Sequence, residues 1–119
     1  MNDTLSARAL AFRQLHTDPG CFVIPNPWDV GSARLLAQMG FKALASTGAG
    51  HAFSRGLCDG AVGRERMLAH LRQMAEATDL PLSADLENGF GPAPETVANT
   101  IRLAATTGIV GGSIEDSSG

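Results

Sequence analysis

The chain has 119 residues, enough for one small domain with its own core, and its net charge of −3 is spread over interspersed acids and bases. That balance, with no tyrosine and few aromatics, offers neither a basic stripe nor a stacking surface for nucleic acid. No apolar stretch approaches the ~18 residues of a membrane span. The start Met1-Asn2-Asp3-Thr4 is unlike a signal peptide, and Cys21 and Cys58 are too few for a disulfide framework, so a reducing, cytoplasmic setting is expected.

Leu5, Ala9, Phe12 and Leu15 recur at helical spacing and predict a helix over about residues 4–16, closed by Pro19-Gly20. Residues 21–25 read as a buried strand stopped by Pro25-Asn26-Pro27. Asp29 is placed to cap a helix that carries Ala33, Leu35, Leu36 and Met39. Residues 41–46 read as a second strand, and residues 47–63 as a long polar, glycine-rich loop. Met67, Leu68, Leu71, Met74 and Ala75 mark the core stripe of an amphipathic helix. A third strand is expected over residues 80–85, a helix over residues 94–107 and a fourth strand over residues 109–115. Gly40 and Gly108 each sit where a helix closes in a left-handed turn, with an apolar residue next. Trp28 reads as a packing anchor and His51 as an ordinary loop histidine.

Repeated helix-glycine-strand units imply parallel strands joined by right-handed crossovers. Four such strands suit either a small doubly wound sheet or part of a (β/α)8 barrel, which needs ~250 residues when complete. The chain stops at Glu115-Asp116-Ser117-Ser118-Gly119, directly after a strand end. Residues 1–119 are therefore expected to be one partial domain.

The chemistry concentrates at Asp85-Leu86-Glu87-Asn88-Gly89-Phe90-Gly91, after the apolar run that ends in Ala84. Alternate residues of a strand point the same way, so Asp85 and Glu87 can converge. Converging carboxylates repel unless a cation sits between them or one stays protonated. The pair suggests a hard, oxygen-liganded ion such as Mg²⁺. A strand exit leading into a helix is also where parallel α/β folds keep their chemistry. Asp59-Gly60 and Glu115-Asp116 add further acids; the first is equally an ordinary turn dipeptide and the second an ordinary solvated strand end.

Three stretches together resemble the isocitrate lyase/phosphoenolpyruvate mutase superfamily. They are Pro25-Asn26-Pro27-Trp28-Asp29-Val30-Gly31-Ser32-Ala33-Arg34, Ala84-Asp85-Leu86-Glu87-Asn88-Gly89-Phe90-Gly91 and Gly111-Gly112-Ser113-Ile114-Glu115-Asp116. The intervening Gly56-Leu57-Cys58-Asp59-Gly60 fits the same order, and the resemblance runs from about Phe12 to the last residue. It is nearest to the poorly characterised members with an Asn-Gly-Phe-Gly turn. It implies the first half of a (β/α)8 TIM barrel, a homo-oligomer, and Mg²⁺ or Mn²⁺ as cofactor. It further implies a lyase that cleaves or forms a C–C bond of a small 2-oxo or 2-hydroxy acid through an enolate. On this resemblance Asp85 is the principal metal-site aspartate, and Glu87 stands where many relatives carry a second aspartate. Glu115 is the next metal-shell carboxylate, Asp59 the active-site loop aspartate, and Ser46, Thr47 and Gly48 bind the substrate carboxylate. The same half-barrel serves phosphonate mutases and hydrolases, which is the alternative. The gating loop, the substrate arginine and strands five to eight of the family have no counterpart in these residues. The 119-residue chain alone is thus expected to be inactive, and a non-catalytic half-barrel that dimerises through its exposed sheet edges is a third reading.

Overall fold

The computed structural model describes residues 3–119. The first helix, α1 (Asp3–Thr17), turns Leu5, Ala9, Phe12 and Leu15 to its half-buried side, the stripe that their spacing predicts. Arg8 ties this helix to the body of the protein. Its guanidinium donates to the Ala75 carbonyl at 3.3 Å and pairs with Asp79 at 3.0 Å. The Asp79 end of that pair is open to solvent, so the pair contributes ~0–1 kcal/mol.

Residues 21–25 form no strand, contrary to the sequence expectation. One ladder-like link remains: the Ala45 N–H donates to the Pro25 carbonyl at 3.0 Å, and the Asn26 amide donates to the Ala45 carbonyl at 3.0 Å. Pro25 and Pro27 have no N–H to return, so the pairing cannot propagate. Asp29 does cap α2 (Val30–Gln38). Its carboxylate accepts from the Ser32 N–H at 2.7 Å while the Ser32 hydroxyl accepts from the Asp29 N–H at 3.1 Å. Such a reciprocal cap contributes about 1 kcal/mol. Gly40 (φ +92°) and Gly108 (φ +98°) both take the left-handed turn that ends their helices.

The expected strand at residues 41–46 shortens to β1 (Leu44–Ala45). The stretch read as a loop contains α3 (Gly48–Ser54), capped by the Thr47 hydroxyl accepting from the Gly50 N–H at 3.1 Å. Next come α4 (Arg64–Ala77), β2 (Leu82–Asp85) and α5 (Pro94–Ala104). A 3-10 turn (Ala105–Thr107) and β3 (Gly111–Ser113) follow. The sheet has the order β1-β2-β3 and is parallel throughout, with Leu44 beside Leu82 and Asp85 beside Ser113. Among the described residues there are thus three strands rather than four. Phe12 of α1 lies where a Cβ on Gly111 would come within 2.7 Å of its ring, so a side chain there would push α1 off the sheet.

The pleat of β2 separates core from site. Leu82 packs with Ala33, Leu44, Met74 and Ala75, while Ala84 and the following Leu86 pack with Met67, Leu68, Leu71 and Ala104. Ser83 and Asp85 therefore face the other side of the sheet. Leu44, Met67, Leu71, Met74 and Leu86 are wholly buried, each stabilising the fold by ~1.5–3 kcal/mol. No helix among the described residues is long and apolar enough to cross a membrane.

His51 of α3 and His70 of α4 stack nearly in parallel, with ring centroids 3.6 Å apart and an interplanar angle of 13°. Burial, and then the neighbouring His51, push the His70 imidazole down from 6.5 to about 4, against a weaker pull from Asp29. The unfolded chain takes up a proton at this residue as pH falls below 6.5, whereas the folded protein resists until about 4. The folded state thus loses stability on acidification across that window. We expect His70→Gln to flatten the fall in Tm between pH 6.5 and 4; identical slopes for variant and wild type would refute this assignment.

Candidate active site

The acids that the sequence singles out gather at the carboxyl ends of β2 and β3. Asp85 closes β2 and is locked by three hydrogen bonds. Its N–H donates to the buried Ser46 hydroxyl at 2.9 Å. One carboxylate oxygen accepts from the Gly48 N–H at 2.7 Å and the other from the Glu87 N–H at 3.0 Å. Gly48 is where the second element meets this acid: a Cβ there would lie 3.1 Å from Asp85 Oδ2 and 3.3 Å from both Cγ and Oε1 of Glu87. Close approach of backbone to carboxylate is what the absent side chain permits.

Asp85 and Glu87 do converge, though not by strand alternation. The strand ends at Asp85, and Glu87 takes the left-handed conformation (φ +53°) that a side-chain-bearing residue rarely adopts. The Asp85 carboxylate stabilises this turn by accepting the Glu87 N–H. The Glu87 carbonyl in turn accepts from the Glu115 N–H at 2.8 Å, which carries the β2–β3 pairing past the strands and brings the third acid alongside.

The electrostatics record that crowding. Glu87 is pushed up from its ordinary 4.5, first by burial and then by the negative charges of Asp85, Asp59 and Glu115; the Gly60 N–H works the other way. Asp59, Glu87, Asn88 and Glu115 line an open cleft of about 710 Å³, together with Arg64 and the chain end. The donors are carboxylate oxygens, the type that hard divalent cations select, and the repulsion on Glu87 is what a cation relieves. Among the described residues, however, no three acids or histidines stand close enough to hold a metal ion by themselves.

The resemblance implies a cradle for the substrate carboxylate at Ser46, Thr47 and Gly48. Gly48 N–H already serves a carboxylate, that of Asp85, and the Thr47 hydroxyl serves the helix as its cap. Beyond the acids, the turn is built by residues whose role spacing does not reveal. The Thr100 hydroxyl donates to the Gly89 carbonyl at 2.8 Å, the Asn88 carbonyl oxygen accepts from the Phe90 N–H at 3.0 Å, and the Asn88 amide donates to the Ser117 carbonyl at 3.2 Å. Trp28 is not an anchor; it is 47% exposed. His51 lies on a helix rather than a loop. Its partner His70 carries no sequence signal beyond its place in the buried stripe of α4.

The family model described as phosphoenolpyruvate phosphomutase matches residues 12–119. An uncharacterised protein of Mycobacterium tuberculosis is 35% identical over 111 residues, 92% of this chain and 41% of that protein. A 2-methylisocitrate lyase of Bacillus subtilis is 36% identical over 81 residues, 67% of this chain and 27% of the lyase. Among solved structures, a candidate lyase/mutase of Burkholderia cenocepacia J2315 superposes with a TM-score of 0.96 at 62% identity, covering 98% of this chain and 42% of that one. A 2,3-dimethylmalate lyase superposes with a TM-score of 0.82 at 30% identity, covering 99% of this chain and 41% of the lyase. The chain thus spans about two fifths of the length of most relatives that it matches. Its three parallel strands and their helices correspond to the N-terminal portion of the (β/α)8 barrels of that group. With the match running unbroken through the capped helix, the acidic turn and the strand end at Glu115, the chain belongs to the phosphoenolpyruvate mutase/isocitrate lyase superfamily.

Proposed function

We propose that this chain is the N-terminal half of a divalent-metal-dependent lyase that cleaves or forms a C–C bond of a small 2-oxo or 2-hydroxy carboxylic acid through an enolate. The observation that supports it most is the meeting of Asp85, Glu87, Asp59 and Glu115 at the strand ends, close enough for their charges to raise Glu87. The activities named for relatives point the same way: 2-methylisocitrate lyase, 2,3-dimethylmalate lyase and oxaloacetate acetylhydrolase.

Asp85, Glu87 and Glu115 would hold Mg²⁺ or Mn²⁺, in part through the waters that such an ion keeps. The bound cation supplies charge stabilisation for the 2-oxo group as negative charge develops. The chain's own residues supply positioning. Gly48 and the Glu87 N–H hold the Asp85 carboxylate in one orientation, and Ser46 fixes its backbone. Ser46, Thr47 and Gly48 would hold the substrate carboxylate, and Asp59, which lines the cleft, would lie in the outer shell of the metal. The enzyme would work in the cytosol, in keeping with the free, exposed thiols of Cys21 and Cys58, and as a homo-oligomer of whole barrels.

A phosphonate mutase is the second reading, favoured by the description of the matching family model. Both are tested on the protein in the length that its source makes, with Mg²⁺ and a panel containing 2-methylisocitrate, 2,3-dimethylmalate, oxaloacetate and phosphonopyruvate. Metal-dependent release of a 2-oxo acid from a C–C substrate is the expected result. Rearrangement of phosphonopyruvate with every C–C substrate untouched would overturn the lyase reading.

A further inference from the structure

A second cavity, of about 380 Å³, opens between α3 and α4 and shares no lining residue with the acidic cleft. Its polar walls are His51 and Arg55 on one side and Arg66, His70 and Gln73 on the other. Neither arginine is in an ion pair; among the described residues those pairs engage Arg8 and Arg64. Nor does the guanidinium of Arg55 or Arg66 make a hydrogen bond to any described residue. His70 is 6% exposed, yet its buried Nε2 has no hydrogen-bond partner, and the same holds for Nδ1 of His51. Buried polar atoms are nearly always partnered, and although the Trp28 backbone supports His51, the orphan His70 Nε2 beside two unpaired cations points to a ligand.

The donors decide which ligand. A metal ion is a poor fit, because rings stacked at 13° send their lone pairs along parallel planes rather than to one point. No third histidine, cysteine or acid among the described residues completes such a group. Guanidinium forks, by contrast, match the oxygens of a tetrahedral or planar oxyanion, and an imidazole that gains a proton becomes a further donor. We propose that this cavity binds a small phosphate group, free or as a monoester, between Arg55 and Arg66, with the His51–His70 pair beside it.

Binding takes up a proton. An anion in the cavity favours imidazolium over imidazole and works against the burial that keeps His70 neutral. Arg55 at the end of α3 acts on His51, Asp29 at the start of α2 acts on both imidazoles, and Arg66 of α4 lines the same cavity. Asp29 stabilises the imidazolium while repelling the anion. Proton uptake at His70 therefore strengthens binding as pH falls toward about 4, while protonation of the phosphate dianion near pH ~6 works against it.

The test follows the imidazole ¹⁵N resonances of His51 and His70 during titration with inorganic phosphate and, separately, glycerol 3-phosphate, with chloride holding ionic strength constant. Saturable shifts with proton uptake at His70 are expected, and Arg55→Gln and Arg66→Gln should each weaken binding by about tenfold. Both arginines are exposed, so these variants should keep the backbone spectrum of the folded protein. Tighter binding of the monoester would assign the site to a phosphorylated small molecule, and tighter binding of inorganic phosphate to free phosphate. Shifts that grow linearly with phosphate, are matched by chloride, or survive both substitutions would overturn the proposal.

Discussion

Asp85→Asn should lower both the stability of the fold and, in the enzyme we propose, the metal-dependent rate. The two carboxylate oxygens accept from two different backbone donors, Gly48 N–H at 2.7 Å and Glu87 N–H at 3.0 Å. An amide offers one acceptor and one NH₂ group, so whichever way it turns, one N–H faces a donor. Leaving that group unsatisfied costs ~1–3 kcal/mol, and Gly48 lies on the buried side of the site. The left-handed turn at Glu87 loses part of its support in the same step, because the Asp85 side chain holds the Glu87 N–H. Loss of a preorganised charge at the reacting centre should reduce turnover by about 100-fold or more. Urea unfolding reads the first effect and the 2-oxo acid assay the second. An Asn variant as stable as wild type would mean that the two hydrogen bonds contribute little. One that is destabilised yet fully active would remove Asp85 from the chemistry.

Gly89→Ala is expected to be the most damaging single methyl group in the chain. Gly89 has φ +85°, where a side chain costs ~1–2 kcal/mol. The added Cβ would also meet the two methyl carbons of Val97 at 2.7 and 2.9 Å. The turn cannot retreat, because its carbonyl is held by the buried Thr100 hydroxyl and its N–H donates to the Leu86 carbonyl at 2.9 Å. Overpacking of this kind adds ~1–3 kcal/mol, for a total of about 2–5 kcal/mol. Val97→Ala in the Gly89→Ala background removes the two methyl contacts but leaves a Cβ 3.1 Å away and the backbone strain, so it should restore most of the overpacking share and no more. A double-mutant cycle in urea measures the split. If Gly89→Ala unfolds at the wild-type midpoint, the packing described for this turn is wrong. If the second substitution restores nothing, the penalty lies in the backbone alone.

Much of the fold was legible because its signals are local. The stripe of α1, the reciprocal cap at Asp29 and Ser32, the apolar face of α4 and the left-handed glycines at positions 40 and 108 each act within a few residues of chain. What failed was equally physical. Residues 21–25 have the apolar content of a strand, yet proline removes the donors that pairing needs. Helix α3 opens with Gly48-Ala49-Gly50, a poor helical start by propensity; the Thr47 cap and the complete burial of Ala52 against the core compensate.

The acids of the site were likewise visible as residue types, since Asp85 and Glu87 flank a glycine-rich turn that follows an apolar run. Their arrangement was not. Asp85 meets Gly48 across 37 residues, Glu115 joins through strand pairing, and His51 stacks on His70 from a different helix. Propensity, capping and turn chemistry are short-range and leave their mark on neighbouring letters. Convergence of distant groups depends on crossovers, register and burial, which no local pattern encodes. The sequence was enough for the family and for the residue types of the candidate site, while the lock on Asp85, the crowding that raises Glu87 and the histidine-lined cavity emerged only once the chain had packed.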